Sequence, residues 1–413
     1  MQKQLLIVAF VWPEPNSTAA GNRMLQLIHF FLEQEYKITL ASTAVESELA
    51  LDLVALGVKK ASIRLNHSSF DDFVAKLNPE IVLFDRFLTE EQFGWRVAEF
   101  APNAVRILDT EDLHSLRQTR QVEFKHNRTF TTTAWLQNET TKREVASIYR
   151  CDVSLIISSY ETILLTETLK IDPSLLLHLP FMLPKINRDQ VKNWTSFDDR
   201  KDFIYIGNGK HAPNVDAVVW LKEEIWPKIR KELPEAQLHI YGAYLPQRVE
   251  DMQNLENGFL IKGWVANANK AMSLARVNLA PLRFGAGLKG KLILAMQTGT
   301  PSCTTSIGAE GMHKSLPWSG TITNNADEFA KAAIDLYNNQ NKWYMAQQSA
   351  ITIINSLYRK EKLHDLFNSK INDLQLNLPK HRTKNFVGSM LSHRTMQSTK
   401  YLSKWIEEKN SKV

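Results

Sequence analysis

Short apolar runs alternate with amphipathic stretches along the first half of the chain. The apolar runs predict five strands, over Leu5–Val11, Lys37–Ser42, Ile81–Phe84, Val105–Leu108 and Val153–Ser158. Between several of them, apolar positions recur at helical spacing, as in Gly21–Gln34 and Thr140–Tyr149. This alternation of strand and helix is typical of an α/β protein with a doubly wound parallel sheet and helices on both faces.

The pattern is interrupted over Pro180–Lys201, where proline, asparagine and charged residues indicate a connection between domains. A second α/β series follows, with strands predicted over Asp202–Ile206, Gln237–Tyr241, Phe259–Ile261, Val277–Ala280 and Ser302–Thr304, and helices over Val215–Glu232 and Lys289–Gln297. We therefore predict Rossmann-like domains over residues 1–185 and 200–370, and a C-terminal helix with a basic tail over residues 371–413. Two such domains face each other across a cleft at the carboxyl ends of their strands, where these sheets bind ligands.

Composition supports a folded protein of more than one domain. The chain has 413 residues, of which 44% are hydrophobic and 23% charged. Cys151 and Cys303 offer neither a disulfide framework nor metal-ligand spacing, which fits a reducing compartment. The apolar run Leu5–Trp12 resembles a signal sequence but is short for one, so we interpret it as a buried first strand and predict a cytoplasmic location.

The positive charge is concentrated at the C-terminal end. From Lys380 onward the chain has eight lysines and arginines and two glutamates, which accounts for the whole formal net charge of +6. The rest of the chain is neutral, and this argues against a nucleic-acid-binding protein. Tyr401, Leu402, Trp405 and Ile406 recur at helical spacing among these basic residues. The tail therefore predicts either a peripheral contact with an anionic membrane or a solvated end after a C-terminal helix that, before residue 380, packs back on the N-terminal domain.

The segment Ala280–Gly311 carries the clearest chemical signal. A strand ends at its beginning, and the glycine-rich turn Gly285–Gly290 leads into a helix. Glycines allow the backbone to approach a ligand closely, and a helix N-terminus attracts phosphate. Lys289 and Lys291 oppose the helix dipole at that end, a conflict that an anionic ligand would remove. The alternative is an ordinary strand-to-helix turn with two solvated lysines.

Three blocks of sequence resemble the family 4 glycosyltransferases of the GT-B fold. Gly285-Ala-Gly-Leu-Lys-Gly-Lys291 and Thr304-Thr-Ser-Ile-Gly-Ala-Glu-Gly311 are similar to the signature of bacterial members. Ile204-Tyr-Ile-Gly-Asn-Gly-Lys-His-Ala-Pro-Asn-Val-Asp-Ala217 is similar to the block that opens their second domain. The resemblance implies a metal-independent enzyme without a cofactor that transfers a sugar from a nucleotide-sugar donor, with retention of configuration. It also implies a polysaccharide, lipid-linked or other glycoconjugate acceptor.

The same resemblance implies roles for particular residues. It assigns donor binding to Gly21, Gly209, Lys210, Val265, Gly287, Lys289, Lys291 and Glu310. The two lysines would hold the diphosphate, and Lys289 would offset charge on the leaving nucleotide. Val265 would lie against the nucleobase. Glu310 would bind a hydroxyl of the ribose or of the sugar, or would serve as an ordinary helix-start carboxylate.

A fourth block, Leu108-Asp-Thr-Glu-Asp-Leu-His-Ser-Leu-Arg117, follows a strand and resembles a further block of the family. Its position predicts that Asp112 and His114 point into the cleft and, with Lys289, act in catalysis. His114 would then hydrogen-bond the transferred sugar or the acceptor, although a lone histidine is often structural. Asp85-Arg86 has the same geometry, and its alternative is a surface salt bridge.

One position departs from the family pattern. Family members usually have a glutamate that binds both ribose hydroxyls where this chain has Leu294, in Leu292-Ile-Leu-Ala-Met296. Loss of that contact weakens donor binding unless another group replaces it. The sequence therefore leaves two functions open, a glycosyltransferase or a non-catalytic GT-B protein that acts as a binding or assembly subunit of a glycosylation complex.

Overall fold

The computed structural model describes residues 3–411, without the side chains of residues 394–396. Of the basic residues predicted to form the tail, Lys412 and the side chain of Arg394 lie outside the described part. Two fully parallel sheets organise the rest, one of seven strands and one of six. The predicted α/β fold class is confirmed.

The first sheet has the strand order β3-β2-β1-β4-β5-β6-β7. Its strands are β1 Gln4–Ala9, β2 Lys37–Ser42, β3 Lys59–Ser62, β4 Ile81–Asp85, β5 Val105–Asp109, β6 Val153–Ile156 and β7 Leu176–His178. The helices of this region are α1 Ala19–Glu33, α2 Ser69–Leu77, α3 Arg86–Phe100, α4 His114–Lys125, α5 Thr132–Gln137, α6 Glu139–Arg150 and α7 Ser159–Ile163. A π-helical turn, Leu164–Thr168, and a 3₁₀ turn, Pro173–Leu175, precede β7.

The linker contains α8 Arg188–Lys192, and the second sheet follows with the order β10-β9-β8-β11-β12-β13. Its strands are β8 Lys201–Ile206, β9 Leu238–Tyr241, β10 Phe259–Gly263, β11 Ala275–Ala280, β12 Ser302–Thr304 and β13 Gly320–Ile322. Its helices are α9 Ala212–Trp220, α10 Trp226–Glu232, α11 Gln247–Glu250, α12 Ala268–Leu274, α13 Gly290–Gln297, α14 Ser306–Ala309, α15 Ala326–Asn338 and α16 Gln340–Leu357, with a π-helical turn over Leu221–Ile225.

Alternate side chains of each strand point to opposite faces of the sheet, and both faces are covered by a hydrophobic core. In β1, Leu5 and Ile7 pack in one buried cluster, whereas Leu6 and Val8 pack in another on the opposite face. Successive side chains of a strand point to opposite faces, so a strand covered on both sides is apolar throughout. This confirms the interpretation of the first apolar run as a buried strand.

Two long helices, α17 Lys360–Lys384 and α18 Phe386–Ser411, complete the described chain. Helix α17 returns from the second sheet to the first and places Phe367, Ile371 and Leu374 in the first domain's core. The Phe367 ring stacks on Phe30 at a centroid distance of 4.5 Å. The helix begins eleven residues before the predicted boundary at 371. The two sheets span residues 4–178 and 201–322, and the division into independent domains stays a prediction.

Helix α18 also packs on the first domain. The Arg96 guanidinium donates to the Ser403 hydroxyl at 3.1 Å, and the Lys400 ammonium pairs with Glu99 at 2.6 Å. On the outward face, Tyr401, Leu402 and Trp405 are each more than half exposed. Within residues 3–411, the model has no helix that is both long and apolar enough to cross a membrane.

The strand order places the ligand-binding edge of each sheet. The order reverses between β1 and β4 in the first sheet and between β8 and β11 in the second. Parallel α/β sheets bind ligands outside the carboxyl ends of their strands at such reversals. The segments that follow β1, β8 and β11 line one shared cavity.

Candidate active site in the interdomain cleft

The interdomain cavity has a volume of about 1040 Å³. From the first domain it receives the loop after β1, the start of α1 and the loop after β5. From the second domain it receives the loop after β8, the start of α12 and the segment from Leu282 into α13. The linker at Phe181–Pro184 and the start of α17 close one side. A cavity of this size accommodates a ligand with several groups.

The glycine-rich turn is shaped by close approach to the opposite domain. Gly287 has φ +64°, and a Cβ atom there would lie 2.8 Å from the Cβ of Asp112. A larger residue is therefore excluded by both conformation and space. The Gly287 N–H donates to Glu161 Oε1 at 2.7 Å. The turn thus brings backbone N–H groups to the cleft at the N-terminus of α13.

Lys289 and Lys291 both line the cavity, as the sequence predicts. Lys289 Nζ donates to the Gly287 carbonyl at 2.7 Å, and Lys291 Nζ donates to Tyr205 Oη at 2.9 Å and Asn214 Oδ1 at 2.7 Å. Neither ammonium forms an ion pair within the part of the chain that the structure describes. Burial lowers the pKa of Lys289 to about 8. Burial and, to a smaller extent, the charge of Lys289 lower the pKa of Lys291 to about 7.

The opposite wall carries carboxylates that already have partners. Asp112 lines the cavity and accepts two hydrogen bonds from Arg117, at 2.7 and 3.2 Å. Burial alone would raise the pKa of Asp112, but the guanidinium of Arg117 lowers it below its usual range. Glu111 also lines the cavity and pairs with Arg86 at 2.6 Å. Negative charge on this wall is therefore balanced by arginine.

His114 lies behind this wall and not on the cavity surface. Its ring packs edge-on against Phe87, and its Nε2 lies 3.4 Å from Asp112 Oδ1 without a hydrogen-bond partner. Burial opposes the protonated ring, but Glu111 and Asp112 raise the pKa of His114 above its ordinary value. These three side chains are the candidate metal ligands among the described residues, yet both carboxylates are taken up by arginine. The arrangement indicates a histidine that positions Asp112.

Asp85-Arg86 forms a buried polar contact rather than a surface salt bridge. Asp85 accepts a hydrogen bond from the Phe10 N–H at 3.0 Å, and Arg86 reaches Glu111. Burial raises the pKa of Asp85 to about 6. Neither residue lines the cavity.

Four further predicted donor residues lie near the cavity without lining it. The Gly21 N–H donates to the hydroxyl of Thr18, the N-cap of α1, at 2.9 Å, so this amide already has a partner within the first domain. Gly209 packs against the Tyr244 backbone, and the Lys210 ammonium lies 3.5 Å from the centre of the Tyr244 ring. Val265 precedes the lining residues 266–269 by one position.

Glu310 also lies outside the cavity lining, because it contacts the other domain. Both of its carboxylate oxygens accept hydrogen bonds from Arg120, at 2.7 and 2.8 Å. Arg120 also donates to the Gly285 carbonyl at 2.8 Å. The carboxylate therefore forms an ion pair across the cleft, and its role as a ligand of a ribose or sugar hydroxyl stays a prediction. Its partner lies 190 residues away, so the local sequence gave no sign of it.

Glu161 is a buried cleft residue that sequence reasoning missed. It accepts hydrogen bonds from the Gly287 N–H at 2.7 Å and the Leu113 N–H at 3.3 Å, whereas Oε2 has no partner. Burial raises the pKa of Glu161 to about 8, and the nearby Asp112 raises it further. Its position just after β6, at the carboxyl end of a strand, is the signal that would have found it.

Leu294 lines the cavity at the position where the family pattern has glutamate. Gln297 lies three residues later, nearly one turn along α13, and lines the same cavity. Asn267, the N-cap of α12, is a third lining residue. This part of the cavity therefore offers two amides beside an apolar side chain.

Comparison with known proteins agrees with this geometry. Residues 200–339 match the family model described as "Glycosyl transferases group 1". No curated protein sequence matches the chain. Among solved structures, sucrose-phosphate synthase from Thermosynechococcus elongatus has a TM-score of 0.64 at 14% identity, covering 90% of this chain and 99% of its own. HepE from Anabaena, in complex with UDP and glucose, has a TM-score of 0.64 at 11% identity, covering 91% and 100%.

A third structure is the G117R mutant of TarM from S. aureus, in complex with fondaparinux, α-GlcNAc-glycerol and UDP. Its TM-score is 0.57 at 14% identity, covering 73% of this chain, and this chain spans 58% of the TarM length.

At these identities the structural likeness defines the fold. The chain has the GT-B fold of glycosyltransferases. Its second domain carries the sequence pattern of the group 1 glycosyltransferases, as the sequence blocks predicted.

Proposed function

We propose that the protein transfers a sugar from a nucleotide-sugar donor to a polysaccharide, lipid-linked or other glycoconjugate acceptor, with retention of configuration. The observation that carries this proposal is the pair of lysines at the start of α13, Lys289 buried and Lys291 half-buried, neither of which has an ion-pair partner among the described residues. Two such cations beside a helix N-terminus are stabilised by a diphosphate. The same charges would stabilise the nucleotide as it leaves, without a metal ion.

The ribose would be held differently from the family pattern. Leu294 cannot accept hydrogen bonds from ribose hydroxyls, and Glu310 is engaged by Arg120. Gln297 and Asn267 line the cavity beside Leu294 and would replace part of the missing contact. Amide side chains accept and donate hydrogen bonds, so they suit a hydroxyl-bearing ligand.

The acceptor would enter from the first domain, whose wall presents Asp112 to the centre of the cleft. The HepE structure is a complex with UDP and glucose, which makes UDP-glucose the first donor to test here. We further propose a cytoplasmic protein with peripheral membrane contact through the outward face of α18. Tyr401, Leu402 and Trp405 are exposed there, beside the basic residues Lys404 and Lys409.

Purified protein offered a panel of nucleotide-sugars tests the proposal. We expect at least one donor to raise the melting temperature and to release its nucleoside diphosphate slowly by hydrolysis or faster with an acceptor. A panel without binding or nucleotide release would reject the enzymatic function.

The rival function is a non-catalytic GT-B subunit of a glycosylation complex, which Leu294 favours. The two functions differ in what they require of the lysines. A scaffold would keep its cellular phenotype when Lys289 and Lys291 are both replaced by alanine, whereas an enzyme would lose it.

A further inference from the structure

A second cavity, of about 210 Å³, lies where the chain crosses between the two domains. Leu183, in the linker, pairs with the segment before α17. The Leu183 N–H donates to the Tyr358 carbonyl at 2.7 Å, and the Lys360 N–H donates to the Leu183 carbonyl at 2.8 Å. Both interdomain crossings therefore meet here. This hinge cavity shares no lining residue with the interdomain cavity.

Basic side chains from three parts of the molecule line the hinge cavity. His178 ends β7 of the first sheet, Lys314 belongs to the second domain, and Arg359 and Lys362 lie at the start of α17. No acidic residue is among the lining residues in the described part of the chain. Arg359 has a half-exposed partner, Glu361, at 3.2 Å. Lys314 and Lys362 form no ion pair with any described residue.

His178 gives the hinge cavity a polar atom that is buried and unsatisfied. Its Nε2 is shielded from solvent and has no hydrogen-bond partner among the described residues. Burial and, to a smaller extent, the positive charges of Lys314 and Arg23 lower the pKa of His178 to about 4. The two neighbouring charges contribute a positive potential at this point. A buried nitrogen without a partner is stabilised by a ligand that supplies one.

We propose that the hinge cavity is a second anion site, which binds a phosphate group, either as the free ion or as part of a sugar phosphate. His178 and three exposed basic side chains line one small space, and a tetrahedral phosphate can accept from several donors at once. A hydroxyl group of the phosphate, or a bound water molecule, would form the missing hydrogen bond with His178 Nε2. Because the ligands come from both domains and from α17, an occupied site favours one relative orientation of the domains. The site thus couples phosphate binding to the opening of the interdomain cleft.

The test measures binding of inorganic phosphate and of a hexose phosphate to the full chain by calorimetry. The donor site is removed in every sample by Lys289→Ala with Lys291→Ala, so failure of the proposed transfer would not affect the result. In that background, Lys314→Gln with Lys362→Gln should raise the Kd for the better ligand at least tenfold. A matched pair, Lys231→Gln with Lys262→Gln, removes the same charge from exposed, unpaired lysines of the second domain and should leave the Kd unchanged.

Hydrogen exchange locates the site. Phosphate should slow exchange at residues 176–184 and 356–364 in the background protein, but not in the hinge variant. Circular dichroism and the ligand-free melting temperature check that the hinge variant is folded, and Lys314→Gln alone provides a milder change that should raise the Kd at least threefold. An unchanged Kd in a folded hinge variant, or no phosphate binding at all in the background protein, would overturn the proposal. The ligand with the lower Kd distinguishes the free ion from a sugar phosphate.

Discussion

The two walls of the interdomain cleft differ in whether their charged side chains have counter-ions. On the first domain's wall, Asp112 and Glu111 are each neutralised by an arginine of the same domain. On the second domain's wall, Lys289, which is buried, and Lys291, which is half-buried, have only neutral oxygens as partners. A buried charge without a counter-ion destabilises the protein. The second wall therefore requires an anionic ligand to neutralise its lysines, whereas the first wall requires none. We therefore expect a diphosphate to bind at the second domain's wall and uncharged hydroxyl groups to bind at the first domain's wall.

The largest effect should follow from removing the unpaired cations. We expect Lys289→Ala with Lys291→Ala to lower kcat/KM by about 10³-fold or more, because both cations face the charge that develops on the leaving diphosphate. A steady-state assay with the best donor of the panel measures this. Lys231→Ala with Lys262→Ala is the matched control and should retain activity. Equal activity in the two double variants would show that the lysines of the second wall have no special role in transfer.

The next effect is a pH dependence of nucleotide binding. Lys289 and Lys291 have pKa values lowered to about 8 and about 7 in the free protein, and a bound diphosphate raises both. Binding therefore takes up protons above pH 7, and affinity falls as the pH rises. Between pH 7 and 9 the fraction of free protein with both lysines protonated falls about five hundredfold, so the Kd of a nucleoside diphosphate should rise by up to about that factor.

Calorimetry in two buffers of different ionisation enthalpy measures this proton uptake directly. Lys291→Met removes one titrating group and should reduce the pH dependence, which provides the control. A Kd that is constant from pH 7 to 9 would mean that these lysines keep their charge in the free protein.

A third prediction concerns Glu161, the first-domain residue that reaches across to the glycine-rich turn. Glu161→Ala leaves the buried N–H groups of Gly287 and Leu113 without a partner, so the free energy of unfolding should fall by about 1–3 kcal/mol. Glu161→Gln keeps an acceptor oxygen and should cost less. Chemical denaturation at pH 7 measures both, and an equal loss in the two variants would contradict the acceptor role assigned to Glu161.

The smallest predicted effect tests the ribose contact. Gln297→Ala should raise the Kd for a nucleoside diphosphate about fivefold to tenfold, the value of one hydrogen bond to a neutral group. In that variant, Leu294→Glu restores the family's carboxylate and should recover the lost affinity. A Kd unaffected by Gln297→Ala would assign the ribose to Asn267 or to backbone groups.

Sequence patterns predicted the parts of the fold that depend on local order. Strands buried on both faces, such as β1 and β11, were predicted within a few residues. Three edge strands, β3, β7 and β13, were not predicted from the sequence, because β3 has the polar sequence Lys-Lys-Ala-Ser and β7 and β13 have three residues each. Such short segments are stabilised by their neighbours in the sheet and are too short to show a clear pattern of their own.

In the candidate site, too, the sequence predicted the features that depend on local order and missed those that depend on distant contacts. Asp112, Gly287, Lys289 and Lys291 were predicted from their places at strand ends and a helix start, and all line the cavity. His114 and Glu310 were also predicted to act in the cleft, but they engage Asp112 and Arg120 instead. Their partners depend on how the domains pack, and no local pattern encodes that packing. The catalytic and donor-binding roles of all these residues stay predictions.

Helix α17 has a consequence for the order in which the molecule assembles. The core of the first domain contains Phe367, Ile371 and Leu374, which are synthesised after the whole of the second sheet. A nascent first domain therefore leaves Phe30 and its neighbours uncovered while the second domain emerges from the ribosome. The two halves cannot mature one after the other along the chain. The first domain to be made is the last to be finished.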